Sequence, residues 1–278
     1  MRPGRAVLIL LPALLLAACQ VPVKPVPPDA DAAPPAPDPT TTPAEAVAPL
    51  LPPAPAEPTP QPAPDPIDTG AELFDHLAAN FRSPVCIKGD ANRAWRKRYA
   101  GHPASFARHL EEILPLMAYV ATEVDKRGLP AEFALIPIVE SWYRPAAIGP
   151  GGPAGMWQMI ASTARNHGIR IQSGYDGRLS PVASTDAALD YLVSLSARFD
   201  GDWRATAMAY NAGEYRILRA FRSNGHRDAS AERKLPEGLS RITYDYVAKM
   251  RALACLIAEP GRQDLELPRD AHFVPLVR

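Results

Sequence analysis

One carboxylate, Glu140, and one hydroxyl, Ser141, close an apolar run that begins at Phe133. A loop rich in Gly and Pro follows, from Pro145 to Gly155, and then the aromatic-amide sequence Met156-Trp157-Gln158. A carboxyl held beside apolar side chains loses hydration of its charged form, and its pKa rises. Such a group stays partly protonated near neutral pH and can protonate a leaving group. The plain alternative is a helix end that reaches water, with its carboxylate ionised and idle. A third segment, Ala209-Tyr210-Asn211-Ala212-Gly213-Glu214, again sets small residues beside hydrogen-bonding and aromatic ones. Small residues allow a ligand close to the backbone, and the Tyr, Gln, Asn and Ser groups supply orienting hydrogen bonds.

Other chemistries find no support. The six histidines show no HExxH spacing and no cysteine-paired metal spacing. No phosphate-cradling glycine loop or GxSxG elbow occurs. Neither a metal nor a cofactor is expected. The 30 basic and 30 acidic residues balance, which argues against a nucleic-acid partner. A local basic run, Arg93, Arg96, Lys97 and Arg98 around Trp95, reads either as a solvated face or as a surface for an anionic polymer or lipid head groups.

The elements that must position these groups read as helices, with no convincing strand alternation. Ser105 looks like the cap of a helix through Val124, which Pro115 should kink or divide. Ala131 to Trp142 is the next helix, distorted near Glu140 by Pro137. Gly155 to His167 follows. Ser180-Pro181 opens another, Asp202 caps a helix from Trp203 to Phe221, and the last runs from Thr243 to Ala258. The fold expectation is an all-α domain.

The N-terminus is a targeting segment rather than part of that domain. Arg2 and Arg5 precede a short apolar stretch ending Leu16-Ala17-Ala18-Cys19, which resembles a bacterial lipobox. Residues 1–18 are then a lipoprotein signal peptide, with Cys19 the lipidated terminus and more than one acyl chain giving durable anchoring. Gln20 in place of an aspartate resembles an outer-membrane sorting signal. Much of the proline, 33 residues in all, falls in the linker that follows, residues 19–69. At roughly 3.1 Å per residue in polyproline II, its residues 20–66 reach on the order of 140 Å. The folded domain is read as residues 70–262, with residues 263–278 a tail. Cys86 and Cys255 bracket that domain, and export to an oxidising compartment permits them to pair.

Taken together, Leu135 to Ser141, Ala154 to Gln158, Tyr175-Asp176-Gly177-Arg178, Ala183-Ser184-Thr185, and Asp200 through Glu214 resemble the soluble-lytic-transglycosylase (SLT) catalytic domain. The resemblance is strongest to the membrane-bound lytic transglycosylase D branch. It implies a lysozyme-like all-α fold and non-hydrolytic cleavage of the glycan strands of peptidoglycan between N-acetylmuramic acid and N-acetylglucosamine, leaving a 1,6-anhydromuramyl end. It assigns Glu140 as the single acid and base. Ser141, Met156, Gln158, Tyr210, Asn211 and Tyr246 are assigned to the glycan cleft, with Tyr210 also orienting Glu140. Glu214, just after Gly213, is the weaker acid candidate and reads better as a capping or bracing group. Placement at the periplasmic face of the outer membrane, anchored through Cys19, follows from the same resemblance and the lipobox. The chain departs from the pattern at Gly149, where the family usually has serine. It departs again at Ile242-Thr243-Tyr244 in place of Glu-Thr-Arg, and at Tyr215 in place of glycine. These departures keep two alternatives open: a peptidoglycan-binding lipoprotein that has lost turnover, and a hydrolytic muramidase.

Overall fold

The computed structural model describes residues 67–82, 86, 91–225 and 235–276, all within one of the two units, 61–278, into which the chain divides. Cys19, the expected signal peptide and most of the expected linker lie outside the described residues.

The described part is helical. The α-helices are α1 (Gly70–Asn80), α2 (Ala91–Tyr99), α3 (Pro103–Lys126), α4 (Ile136–Ser141), α5 (Ala161–Asn166), α6 (Pro181–Arg198), α7 (Trp203–Ala212), α8 (Glu214–Ser223) and α9 (Arg241–Ala258). A two-residue hairpin, β1 (Ile171–Gln172) with β2 (Tyr175–Asp176), is the departure from the all-helical expectation. Gly174, with φ 75°, makes its tight reversal.

Local chemistry sets most of the helix starts. Thr69 and Glu72 form a reciprocal capping box on α1. Ser180 accepts from the Ala183 N–H ahead of Pro181 on α6, and Asp202 accepts from the Arg204 and Ala205 N–H groups on α7. Ser240 caps α9 in the same way, two residues earlier than expected from the apolar pattern. Each such cap contributes about 1 kcal/mol.

Four helix expectations are corrected. Pro115 does not divide α3, which runs without interruption for 24 residues. Glu111, whose carbonyl loses its in-helix donor to Pro115, is exposed, so water can serve it. Helix α3 also starts at Pro103 with His102 as its cap residue, rather than at a Ser105 cap. The stretch from Ala131 to Trp142 is not one helix: residues Ala131–Leu135 are 3-10 and α4 begins after them, beside Pro137. The expected helix from Trp203 to Phe221 breaks at Gly213, whose φ of 91° leaves the helical region.

Helix α9 packs against α1, α2, α4 and α7. Its Tyr246, Val247, Met250, Leu253, Ala254 and Ile257 are buried, and each large apolar side chain so removed from water contributes roughly 1.5–3 kcal/mol. Cys255, on the same helix, is bonded to Cys86 with the sulfurs 2.07 Å apart, which ties the segment before α2 to α9.

The C-terminal segment, expected as a tail beyond residue 262, is part of this body. Leu265 is buried in the core. The N–H groups of Gly70, Ala71 and Phe273 donate to Ala271, Arg269 and Asp68 respectively, and Arg269 pairs with Asp75. These bonds fasten residues 269–273 along the start of α1. Short apolar clusters separated by turn residues hid this in the sequence, because the partner strand of backbone is two hundred residues away.

Candidate active site

Glu140 sits in the last turn of α4, and the chain leaves that helix abruptly. Trp142 and Tyr143 both adopt left-handed backbone, with φ 56° and 54°. Such conformations cost a non-glycine residue roughly 1–2 kcal/mol each and persist where packing fixes them. Here Tyr143 is buried and its hydroxyl donates to the Ala134 carbonyl at 2.6 Å. The Trp142 and Tyr143 N–H groups return to the Ile138 and Pro137 carbonyls. This locked exit holds Glu140 on a fixed helix end.

The carboxyl of Glu140 accepts a hydrogen bond from the Tyr246 hydroxyl at 2.7 Å. Burial pushes its pKa up to about 7, against the opposing pull of the Tyr246 hydrogen bond and the Lys249 charge. Burial likewise holds the Tyr246 and Tyr210 hydroxyls well above the ordinary tyrosine range. They therefore act as neutral donors, and Glu140 is the group that titrates near neutrality.

Glu140 faces a groove of about 460 Å³ lined by Gly149, Pro150, Pro153, Gln158, Tyr191, Tyr210 and Asn211, among others. Among its lining residues Glu140 is the sole carboxylate. One wall is the loop 145–155 and the turn that follows it. Residues 155–158, expected as the opening of a helix, form a turn instead: Gly155 has φ 76° and Gln158 φ 47°. A Cβ on Gly155 would lie 1.8 Å from the Arg178 carbonyl oxygen, so no other residue fits there. The Gln158 amide Nε2 donates to the Gly155 and Ala147 carbonyls. The Arg178 guanidinium is buried, donates through Nη1 to the Gly152 and Met159 carbonyls, and pairs with Asp176 through Nε and Nη2. It clamps the loop that makes the wall.

Three of the residues assigned to the cleft do not line it. Ser141 is buried; its Oγ donates to the Met156 carbonyl and accepts from the Arg144 N–H, joining α4 to the turn. Met156 is fully buried because the turn points its side chain into the core. Tyr246 is 3% exposed and spends its hydroxyl on Glu140. Gln158, Tyr210 and Asn211 do line the groove. The orienting role assigned to Tyr210 falls to Tyr246, because the Tyr210 hydroxyl donates to the Trp157 carbonyl at 2.8 Å. Glu214 is paired with Arg198.

Sequence reasoning missed Tyr191, Lys249 and Arg178 as parts of the site. Arg178 had a signal, since it ends one of the matched motifs, whereas Tyr191 and Lys249 carry none. The departure at Gly149 has a structural counterpart: a Cβ there would approach Gln158 Oε1 to 2.4 Å. In this chain the Gln158 amide fills the space that a side chain at 149 would enter. Ile242 and Tyr215 are both exposed.

Residues 117–232 match the family model described as Transglycosylase SLT domain. Membrane-bound lytic murein transglycosylase D of Escherichia coli is 43% identical over 165 residues, which are 59% of this chain and 36% of that protein. A peptidoglycan transglycosylase of Escherichia phage T7 is 42% identical over 79 residues, 28% of this chain and 6% of that one. This chain thus spans little more than a third of the length of the first of these relatives. Among solved structures, an inactive mutant of the lytic transglycosylase Slt from Pseudomonas aeruginosa aligns at 18% identity with a TM-score of 0.41, covering 73% of this chain and 35% of that one. That likeness is too slight to argue from. The matched segment carries Glu140, the 155–158 turn and Tyr210, and it is over residues 117–232 that this chain is similar to the transglycosylase SLT domain.

Proposed function

We propose that this chain is a peptidoglycan lytic transglycosylase, cleaving the β-1,4 bond between N-acetylmuramic acid and N-acetylglucosamine with formation of a 1,6-anhydromuramyl end. The observation that carries the reading is a lone carboxyl, Glu140, with its pKa pushed up to about 7 by burial, at the side of an open groove. The match to the SLT model and to relatives named transglycosylases supports it.

The chemistry follows from having one acid. Protonated Glu140 gives its proton to the glycosidic oxygen as the bond to the muramyl C1 breaks, and the N-acetylglucosamine side leaves as an alcohol. The carboxylate left behind keeps the Tyr246 hydrogen bond and the Lys249 field. It then takes the proton of the muramyl C6 hydroxyl as that oxygen bonds to C1, and the carboxyl returns to its starting state. Glycosidases that use water or a protein nucleophile employ a second carboxylate on the other side of the bond. Among the residues lining this groove there is none, which favours the internal hydroxyl as nucleophile.

The proposal includes the setting. Cys19 carries the lipid anchor, residues 19–69 are the tether, and the domain works on the wall from the periplasmic face of the outer membrane. Replacing Cys19 with Ala should move the protein from the membrane to the soluble fraction.

The test is to digest purified peptidoglycan with the full chain and read the muropeptides by mass spectrometry. Anhydro ends support the reading. Reducing ends would make the protein a muramidase, and an absence of products would leave it a binding protein. Glu140→Gln should bind strands and release no products.

A further inference from the structure

The basic run from Arg93 to Arg98 surrounds one aromatic residue, Trp95, and α9 supplies it with two partners. The indole Nε1 donates to Asp245 Oδ1 at 3.5 Å. The ring carries the Lys249 ammonium, 4.8 Å from its centroid. Asp245 and Lys249 stand four residues apart on α9 with the acid first, the spacing at which a helix pairs such groups directly. No ion pair joins them. Asp245 instead meets the indole and the Arg241 guanidinium, 3.7 Å away, while Lys249 takes the ring face. Trp95 thus stands between an acid and a base that would otherwise neutralise each other.

The placement of Lys249 bears on the catalytic helix. It follows Tyr246 by three residues, so the two side chains lie on one face of α9, and Tyr246 donates to Glu140 at 2.7 Å. The lysine is half-buried. A cation seated on an indole has lost part of its water and its freedom, and its field is screened less there than in bulk solvent. That field favours the ionised form of Glu140. The other titratable groups around the carboxyl are tyrosines: Tyr246 on α9, Tyr210 on α7, Tyr191 on α6, and Tyr99 on α2 behind Tyr246. Burial holds all four above the ordinary tyrosine range, so they stay neutral. Arg144, after α4, donates through Nε to the Ser141 carbonyl. Arg98 on α2 stands over the same ring as Lys249, at 5.2 Å, and is exposed.

We propose that Trp95 is a positioning residue for the reaction: it keeps Lys249 apart from Asp245, as a fixed cation behind Tyr246, and so stabilises the Glu140 carboxylate that the first step leaves. The inference rests on the catalytic reading given above. It adds a device outside the groove, since Trp95, Asp245 and Lys249 are not among the groove's lining residues.

The experiment uses the full chain and reads two quantities. One is the pH dependence of kcat and KM on peptidoglycan. The other is the titration midpoint of the Glu140 carboxyl followed by carbon-13 NMR, which needs no turnover. Lys249→Gln should move both midpoints upward and cut kcat about fivefold with KM unchanged, the upper range for a charge pair short of full burial. Lys249→Arg should restore them. Trp95→Leu should shift the midpoint in the same direction as Lys249→Gln, because Asp245 is then free to pair with Lys249. Adding Asp245→Asn to Trp95→Leu should lower the midpoint by more than the same change does in the wild type. Trp95→Phe, a milder change, keeps a ring under the ammonium and frees Asp245, and should give a smaller shift of the same sign. Arg98→Gln removes the other cation over the ring and should leave midpoint and kcat as they are. An unmoved midpoint in Lys249→Gln would overturn the proposal, as would an unmoved midpoint in both Trp95 variants. A loss of kcat at fixed midpoint would make the role structural and overturn it too. An equal shift in Arg98→Gln would reduce the effect to the general charge of α2. If the NMR shifts are present but the wild type cuts no strand, the catalytic reading fails and the placement of the Lys249 charge by Trp95 stands.

Discussion

The hydroxyl of Tyr246 donates to Oε1 of Glu140 at 2.7 Å, joining α9 to the end of α4 across 106 residues of sequence. The hydrogen bond favours the ionised carboxylate, while burial favours the acid, and burial dominates. Removing the hydroxyl therefore has a signed consequence. In Tyr246→Phe the Glu140 pKa rises above about 7, so the proton is kept to higher pH. The alkaline fall in kcat/KM, set in the wild type by loss of that proton, should move upward. The carboxylate formed in the first step loses its donor as well, and kcat should fall by about 10- to 100-fold, the scale of a hydrogen bond to a charged group. The pH–rate profile measures both.

The same pKa predicts a stability signature. The unfolded carboxyl titrates near 4.5 and the folded one near 7. Between those values the folded state holds a proton that the unfolded chain has lost, so stability falls as pH rises through the window. The full penalty, at most about 3 kcal/mol, is present above the folded pKa. Glu140→Gln should thus raise the melting temperature at pH 8 and leave it nearly unchanged at pH 4, as thermal unfolding at the two pH values would reveal.

Arg178 acts at a distance from the bond being broken. Its guanidinium fixes the Gly152 and Met159 carbonyls and so the loop wall. Lysine keeps the charge but cannot reach both carbonyls and Asp176 together. Arg178→Lys should raise KM by about tenfold, roughly 1.4 kcal/mol of lost strand binding, with the pH midpoint unmoved. Steady-state kinetics across pH distinguishes this from damage to Glu140.

Gly155 has neither conformational nor spatial room for a side chain. Gly155→Ala should destabilise the domain by more than about 2 kcal/mol, combining backbone strain with displacement of the Arg178 segment. Denaturant unfolding measures it. By contrast, replacing Cys86 and Cys255 together with Ser should cost about 2–4 kcal/mol while the pH profile stays as in the wild type, because the bridge lies away from the carboxyl.

Much of the frame was legible because it rests on local chemistry. Ser180-Pro181, Asp202 and the apolar face of α9 announce themselves by residue type and spacing. Glu140 was legible for the same reason, as an acid ending an apolar run. What escaped was set by backbone dihedrals or by distance in sequence. Met156-Trp157-Gln158 has helical composition, yet left-handed Gly155 and Gln158 turn it, sending Met156 inward and Gln158 to the groove. Tyr210 and Tyr246 offer the same hydroxyl, and nothing local says which one meets Glu140. Only the packing of α9 on α4 decides it.

The proposed reaction needs a single acid, Glu140, and a nucleophile that belongs to the sugar. Digesting peptidoglycan in water enriched in heavy oxygen tests that directly, with mass spectrometry of every new muramyl end. The ends should be anhydro and free of label, because no water oxygen enters C1. Reducing ends carrying the heavy oxygen at C1 would contradict the account.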